Sequence, residues 1–225
     1  MTNSTLFARR RARGLHPLLR SIPDCAIPRS LGLPVFEAHF NRSRPSAAGV
    51  TLDASTGGGV SVFVVQFAKA AGAKVVATTS SPTKVDLLLV ADYVINYRED
   101  PNWGLTARAF TPNGDGFDNI IEVGGTDTLS QGVKAIKFEG VISVIGVLTG
   151  AAQGSSNVID ALLQIRTFRG LHVGSRIQME EMIAAIEANK IQPVLDETVF
   201  SFEGLRDGLE YLAAQKHLGK VVKIV

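Results

Sequence analysis

Cysteine is nearly absent: the 225-residue chain has one, Cys25, which excludes an intrachain disulfide and a cysteine-rich zinc site. A reducing compartment fits that usage. The four histidines, His16, His39, His172 and His217, are scattered without an H-x-x-E-H or H-x₃-H spacing, so no metal site is expected. Long apolar runs are also missing. The longest, such as Val141–Leu148, are too short to cross a bilayer, and no transmembrane helix is expected. No Ser-His-Asp or paired-carboxylate arrangement can be assigned from spacing, which argues against a hydrolase. Repeats of solenoid period and low-complexity tracts are absent too.

Acidic residues are missing selectively. The first 50 residues hold eight Lys and Arg against two acids, whereas the remaining 175 hold fifteen against nineteen, so the net charge of +2 hides a basic N-terminal segment. Met1–Pro23 contains Arg9, Arg10, Arg11, Arg13 and Arg20, several hydroxyl residues and no acid. That is the composition of a frayed basic tail or of a mitochondrial presequence. Cytoplasmic localisation is the expectation, with mitochondrial as the alternative. A nucleic-acid arm would bring aromatic residues among the arginines or a binding motif, and neither is present. No nucleic-acid or membrane partner is expected.

Prolines 17, 23, 28, 34 and 45 break any long helix before residue 47, leaving at most a short one at Val35–Phe40. Residues 1–46 therefore read as an irregular basic segment, and residues 47–225 as the folded domain. With 45% hydrophobic and 20% charged residues, the chain has the composition of a globular protein rather than a disordered one.

What is present from residue 47 onward is an alternation of short β-branched runs with amphipathic helical stretches, separated by Gly, Pro, Asn and Asp. The predicted strands are Gly49–Ala54, Lys74–Thr79, Asp92–Ile95, Phe117–Val123, Gly140–Val147, Phe168–Val173, Val194–Phe200 and Lys220–Val225. The predicted helices are Val60–Ala71, Pro82–Leu89, Trp103–Phe110, Asp127–Lys137, Val158–Ile165, Gln178–Ala188 and Phe202–Ala214. Apolar segments without alternation, such as Val75-Val76-Ala77 and the run from Val141 to Ile145, read as strands covered on both faces. Such strands belong to parallel sheets with right-handed crossovers. The expected class is α/β, a doubly wound parallel Rossmann sheet.

Three features place a ligand on that sheet. The stretch Ala54-Ser55-Thr56-Gly57-Gly58-Gly59-Val60-Ser61 lies between a strand and the helix Val60–Ala71, where glycines let the backbone approach a pyrophosphate and helix N–H groups bind its charge. Thr56, Gly57, Gly58, Gly59 and Val60 are the candidates, although the G-x-G-x-x-G match is imperfect because Thr56 and Ser61 take its outer positions. About twenty residues on, where NAD-specific domains place an acid on the ribose, the sequence reads Ala77-Thr78-Thr79-Ser80-Ser81-Pro82-Thr83-Lys84. No Asp or Glu occurs between Asp53 and Asp86. Thr79, Ser80 and Lys84 can hydrogen-bond and neutralise a 2′-phosphate that a carboxylate would repel, so NADP(H) is favoured over NAD(H). Ser81 before Pro82 also reads as a helix N-cap, which leaves Lys84 solvated. The third feature is glycine at two further strand ends, Gly124 and Gly146, and the pair Ser175 and Arg176 after another. Glycine there lets the two halves of a dinucleotide pass close to the backbone, or simply makes a strand-to-helix turn. Arg176 either reaches a phosphate or caps the next turn.

At these residues the chain resembles the medium-chain dehydrogenase/reductase superfamily, in particular its zinc-type alcohol dehydrogenase-like and quinone oxidoreductase-like members. The matching segments are Thr56–Ser61 with Gln66–Ala73, Ala77–Ser81 with Lys84, Ala91–Tyr97, Glu122–Gly125, Val144–Gly146, Val173–Arg176, Pro193–Asp196 and His217–Val222. The resemblance implies an NADPH-dependent oxidoreductase, working without zinc, that moves hydride between the nicotinamide and a small carbonyl, quinone or enone. Two departures stand out. The family's N-terminal GroES-like catalytic domain, which reads the substrate, has no counterpart in residues 1–46, and the stretch from Lys84 to Asp92 is shorter than usual. The alternative is a truncated, catalytically weak or inactive cofactor-binding paralogue acting as a homodimer or as a heterodimer with a full-length relative. In relatives the final strand returns toward the catalytic domain, so Lys220–Val225 is expected here to lack that partner and expose an edge strand.

Overall fold

The computed structural model describes residues 49–54, 58–81, 91–148, 162, 166–215 and 217–223. The basic segment 1–46, the helices expected at Pro82–Leu89 and, but for Leu162, at Val158–Ile165, and the site residues Thr56, Gly57 and Lys84 lie outside these.

Six strands form one parallel sheet: β1 (Val50–Ala54), β2 (Lys74–Thr79), β3 (Tyr93–Asn96), β4 (Phe117–Glu122), β5 (Ile136–Val144) and β6 (Thr167–Gly170). Their spatial order is β3-β2-β1-β4-β5-β6, with every adjacent pair parallel. This is the doubly wound order, and its direction reverses between β1 and β4. Helix α1 (Gly59–Ala70) connects β1 to β2, α2 (Trp103–Ala109) lies between β3 and β4, α3 (Thr126–Ala135) joins β4 to β5, and α4 (Arg176–Ala188) follows β6.

The apolar doublets of the strands explain why both faces are covered. Side chains of adjacent strand residues point to opposite faces. Ile121 packs with Val60, Phe63, Val64 and Phe67 of α1 and with Met182 and Ile186 of α4. Its neighbour Ile120 packs with Trp103 and Ala107 of α2 and Ala135 of α3. Val75 and Val76 divide in the same way between two clusters. Asp92 fastens the β2 side of the sheet: its carboxylate accepts from Lys69 of α1 at 2.8 Å and from the Val75 amide at 2.7 Å.

Two differences from the sequence expectation have local causes. The strand expected at Gly140–Val147 begins earlier, at Ile136, and ends at Val144. Ile136 is buried and pairs with Phe117, after which the chain bulges before Val141 pairs with Asn119, and Glu139 within the bulge takes a left-handed φ of 59°. A bulge interrupts the periodicity on which strand boundaries are read. The second difference is at the C-terminus. Strands β7 (Leu195–Phe200) and β8 (Lys220–Lys223), joined through helix α5 (Leu205–Ala213), pair in parallel as a separate two-stranded sheet. Of the segment expected to lack its catalytic-domain partner, Lys220–Lys223 pair with β7, and just before them Gly219 makes a parallel bridge to Gly58.

Candidate functional site

The reversal of strand order leaves a crevice beyond the C-terminal ends of β1 and β4, which lie side by side with Ala54 opposite Glu122. Three turns line it.

The first follows β1. Gly58 is the N-cap of α1 in extended conformation, and Gly59 is the first helical residue. No side chain caps this helix, and its first turn carries no acid. The helix therefore presents N–H groups and a partial positive charge to whatever lies before it. A Cβ at Gly58 would meet nothing within 4 Å, whereas one at Gly59 would lie 2.5 Å from the Lys220 Nζ. The Gly58–Gly219 bridge brings the C-terminal strand against the turn and delivers Lys220 to it.

Lys220 is the feature that spacing did not disclose. It is 7% exposed, its ammonium has no hydrogen-bond partner among the described residues, and it lies 5.6 Å from the centroid of the Phe63 ring. Burial pushes its pKa down to about 8. A buried cation beside a positive helix terminus is unfavourable unless an anion joins them. The only signal in the sequence was a lysine set between Gly219 and the apolar pair Val221-Val222.

The second turn follows β4. Glu122 is fully buried and accepts from the Gly125 amide at 3.0 Å and the Thr128 hydroxyl at 2.6 Å. Its Oε2 has no partner among the described residues, and burial raises its pKa to about 7 against the opposing pull of Thr128, Gly125 and Gly124. A Cβ at Gly124 would strike the Thr128 hydroxyl at 2.3 Å. After β5 the chain folds onto this turn: the Ile145 amide donates to the Glu122 carbonyl at 2.8 Å, and a Cβ at Gly146 would lie 3.0 Å from the Val123 carbonyl oxygen. Gly124 and Gly146 thus belong to one floor.

The third turn follows β2. Thr79 is buried, and its hydroxyl accepts from the Ser81 amide at 3.1 Å, closing the turn that carries the half-buried Ser80. Ser175 and Arg176 stand at the start of α4, after β6. Ser175 caps α4 in a reciprocal box with Gln178, and the exposed Arg176 lies 3.9 Å from Glu180 one turn on. Among the described residues no three His, Cys, Asp or Glu side chains gather to hold a metal. None of the helices described is long and apolar enough to cross a membrane.

Residues 59–188 match the family of zinc-binding dehydrogenases. A zinc-type alcohol dehydrogenase-like protein of Schizosaccharomyces pombe is 42% identical over 170 residues, which are 73% of this chain and 49% of that protein. A solved structure assigned as an alcohol dehydrogenase of Sinorhizobium meliloti superposes with a TM-score of 0.77 at 34% identity, covering 86% of this chain and 56% of the other. An NAD-dependent alcohol dehydrogenase superposes with a TM-score of 0.77 at 25% identity over the same shares. The chain spans about half the length of the relatives it matches.

Proposed function

The chain belongs to the zinc-binding dehydrogenase family, and we propose that residues 47–225 bind NADP(H) and serve an oxidoreductase acting on a small carbonyl, quinone or enone. The observation that carries this reading is the Lys220 ammonium, buried against the first residue of α1 with no hydrogen-bond partner among the described residues. A dinucleotide fits the groups present. The backbone N–H groups of Gly59 and Val60, together with the Lys220 ammonium, would hold the pyrophosphate, and the bare Gly58 leaves room for it. Gly124 and Gly146 would let the rest of the molecule lie close to the floor of the crevice. The Thr79 turn, with Ser80 and Lys84, would take the 2′-phosphate, in a stretch with no carboxylate to repel it.

When bound, the nicotinamide supplies the hydride chemistry. The chain's own residues bind and orient: α1 and Lys220 fix the charged middle of the cofactor, and the β4 and β5 turns set the surface along which its ends lie.

Titration of the protein with NADPH, followed by nucleotide fluorescence, tests this. Saturable enhancement that weakens at least tenfold in Lys220→Met is expected, since a charge-assisted contact contributes about 1.5–3 kcal/mol. Absence of enhancement in the native chain at high protein concentration would overturn the reading. A screen of NADPH oxidation with quinones, enones and aldehydes then identifies the substrate class.

A further inference from the structure

We infer that Asp196 is a positioning residue, which acts on the cofactor phosphates through Lys220. This rests on the phosphate role of Lys220 proposed above. Lys220 lies in a short strand that, among the described residues, pairs within its sheet with β7 alone, so how far that strand sits along α1 must be fixed. The carboxylate of Asp196, in β7, supplies the fixture. One of its oxygens, Oδ2, accepts from the Leu218 amide at 2.7 Å, two residues before Lys220. The other, Oδ1, accepts from the Thr198 amide at 2.8 Å, which ties the side chain to its own strand. The Tyr211 hydroxyl, on α5, reaches both oxygens at 3.2 and 3.3 Å.

Asp196 thus joins all three elements of the C-terminal unit: β7, α5 and the approach to β8. Tyr211 is held in turn between the rings of Phe200 and His217, at centroid distances of 5.6 and 6.5 Å. Two residues along from Leu218 the backbone takes over. The Lys220 amide donates to the Val194 carbonyl at 3.0 Å, two residues before Asp196. Between these two bonds Gly219 adopts a φ of 64°, and a Cβ there would lie 2.4 Å from the Val194 carbonyl oxygen. The left-handed glycine turns the chain so that residue 219 bridges Gly58 while Lys220 projects onto Gly59 and Phe63.

The consequence is leverage. A carboxylate holding a backbone amide two residues from a lysine fixes the origin of that side chain, and the walls formed by Gly59 and Phe63 fix its end. Without the Asp196 bond to Leu218, the segment 217–219 can shift along β7. A shift of an ångström withdraws the ammonium from the helix terminus, and charge-assisted contacts depend steeply on geometry. The hydrogen bonds of Asp196 run to Leu218, Thr198 and Tyr211, so the effect on phosphate binding inferred for it is transmitted through the segment that carries Lys220.

A double-mutant cycle on the full chain tests this with NADPH and NADH as probes, because the pyrophosphate is common to both. Asp196→Asn is expected to weaken both nucleotides about tenfold, the scale of one charge-assisted contact. In a Lys220→Met background the same substitution is expected to change neither, since a residue acting through Lys220 has nothing left to position. A purely structural role predicts the opposite, losses that add in the double variant, and that result overturns the inference. If Asp196→Asn does not fold by circular dichroism, Tyr211→Phe replaces it in the cycle, with an expected loss of about threefold and the same non-additivity. The inference fails separately from the reading beneath it. Native affinity in Lys220→Met overturns the phosphate role itself, whereas weakening in Lys220→Met with native affinity in Asp196→Asn overturns only the role of Asp196.

Discussion

A side chain at position 59 would place its Cβ 2.5 Å from the Lys220 Nζ, 2.7 Å from its Cε and 2.8 Å from its Cδ. The lysine therefore runs along the α carbon of Gly59, and a side chain there must displace the lysine's far end. Gly59→Ala is expected to push the ammonium off the helix terminus and weaken NADPH and NADH about equally, by roughly tenfold. Because the atoms that must give are the far end of a flexible side chain, stability is expected to change little, with the better helix propensity of alanine acting in its favour. Fluorescence titration with thermal unfolding checks both parts, and unaltered affinity would remove the contact from the binding site.

Gly58 behaves differently, because a Cβ there meets open space and its φ of −79° suits any residue. Gly58→Val is expected to leave the protein folded, at a cost of about 1 kcal/mol because valine is a poorer N-cap than glycine, while abolishing binding of both nucleotides. Retained binding in a folded Gly58→Val protein would mean that the pyrophosphate lies elsewhere.

Discrimination between the two nucleotides falls to the residues after β2. Lys84→Glu is expected to weaken NADPH by tenfold or more relative to NADH, because a carboxylate in place of an ammonium opposes the 2′-phosphate. Equal effects on the two Kd values would refute a 2′-phosphate role for Lys84.

Glu122 makes a pH prediction. Its pKa is raised from 4.5 to about 7 in the fold, so between those values the folded state binds more protons than the unfolded one. Stability must then fall as pH rises across that window and level off above about 7. The contribution of this fully buried group is about 3 kcal/mol at most, from 1.36 kcal/mol per pKa unit. Glu122→Gln is expected to flatten the urea-unfolding profile between pH 4.5 and 7, and an unchanged slope would assign the pH dependence to other groups.

Lys220 has the opposite sign of linkage. With its pKa lowered from 10.5 to about 8, the folded state carries the penalty of a buried cation below pH 8, and that penalty is relieved as pH climbs toward 10.5. Lys220→Met should therefore stabilise the nucleotide-free protein by up to about 3 kcal/mol at pH 7 and by little at pH 10.5, while costing it cofactor affinity. Denaturant unfolding at the two pH values measures this, and destabilisation at pH 7 would show that the ammonium has a partner in the free protein.

Much of the fold was legible because strand burial is written in adjacent residues. Pairs such as Ile120-Ile121 and Val75-Val76 can both be apolar only where a sheet is covered on both faces, and glycines mark where the chain leaves the sheet. Strand limits were less legible at β5, where Ile136 enters the sheet directly from α3 and the bulge with Glu139 breaks the pattern. Of the site, the glycine turn and the two glycine strand ends could be named, since each needs only local backbone freedom. Ser175 and Arg176 could be named too, but their roles within α4 rest on the partners Gln178 and Glu180, which spacing does not select.

By itself the sequence determined the alternation of strands and helices, the absence of an acid after β2 and the glycines at three strand ends, because these follow from residue type and short-range periodicity. Tertiary structure alone decided that β7 and β8 form their own sheet and that Gly219 meets Gly58. It also buried Lys220 against the helix that follows the glycine turn, and tied that lysine to Asp196 through Leu218. The physical reason is that a lysine's charge state and reach are set by what surrounds it. Those surroundings come from segments far apart in the chain.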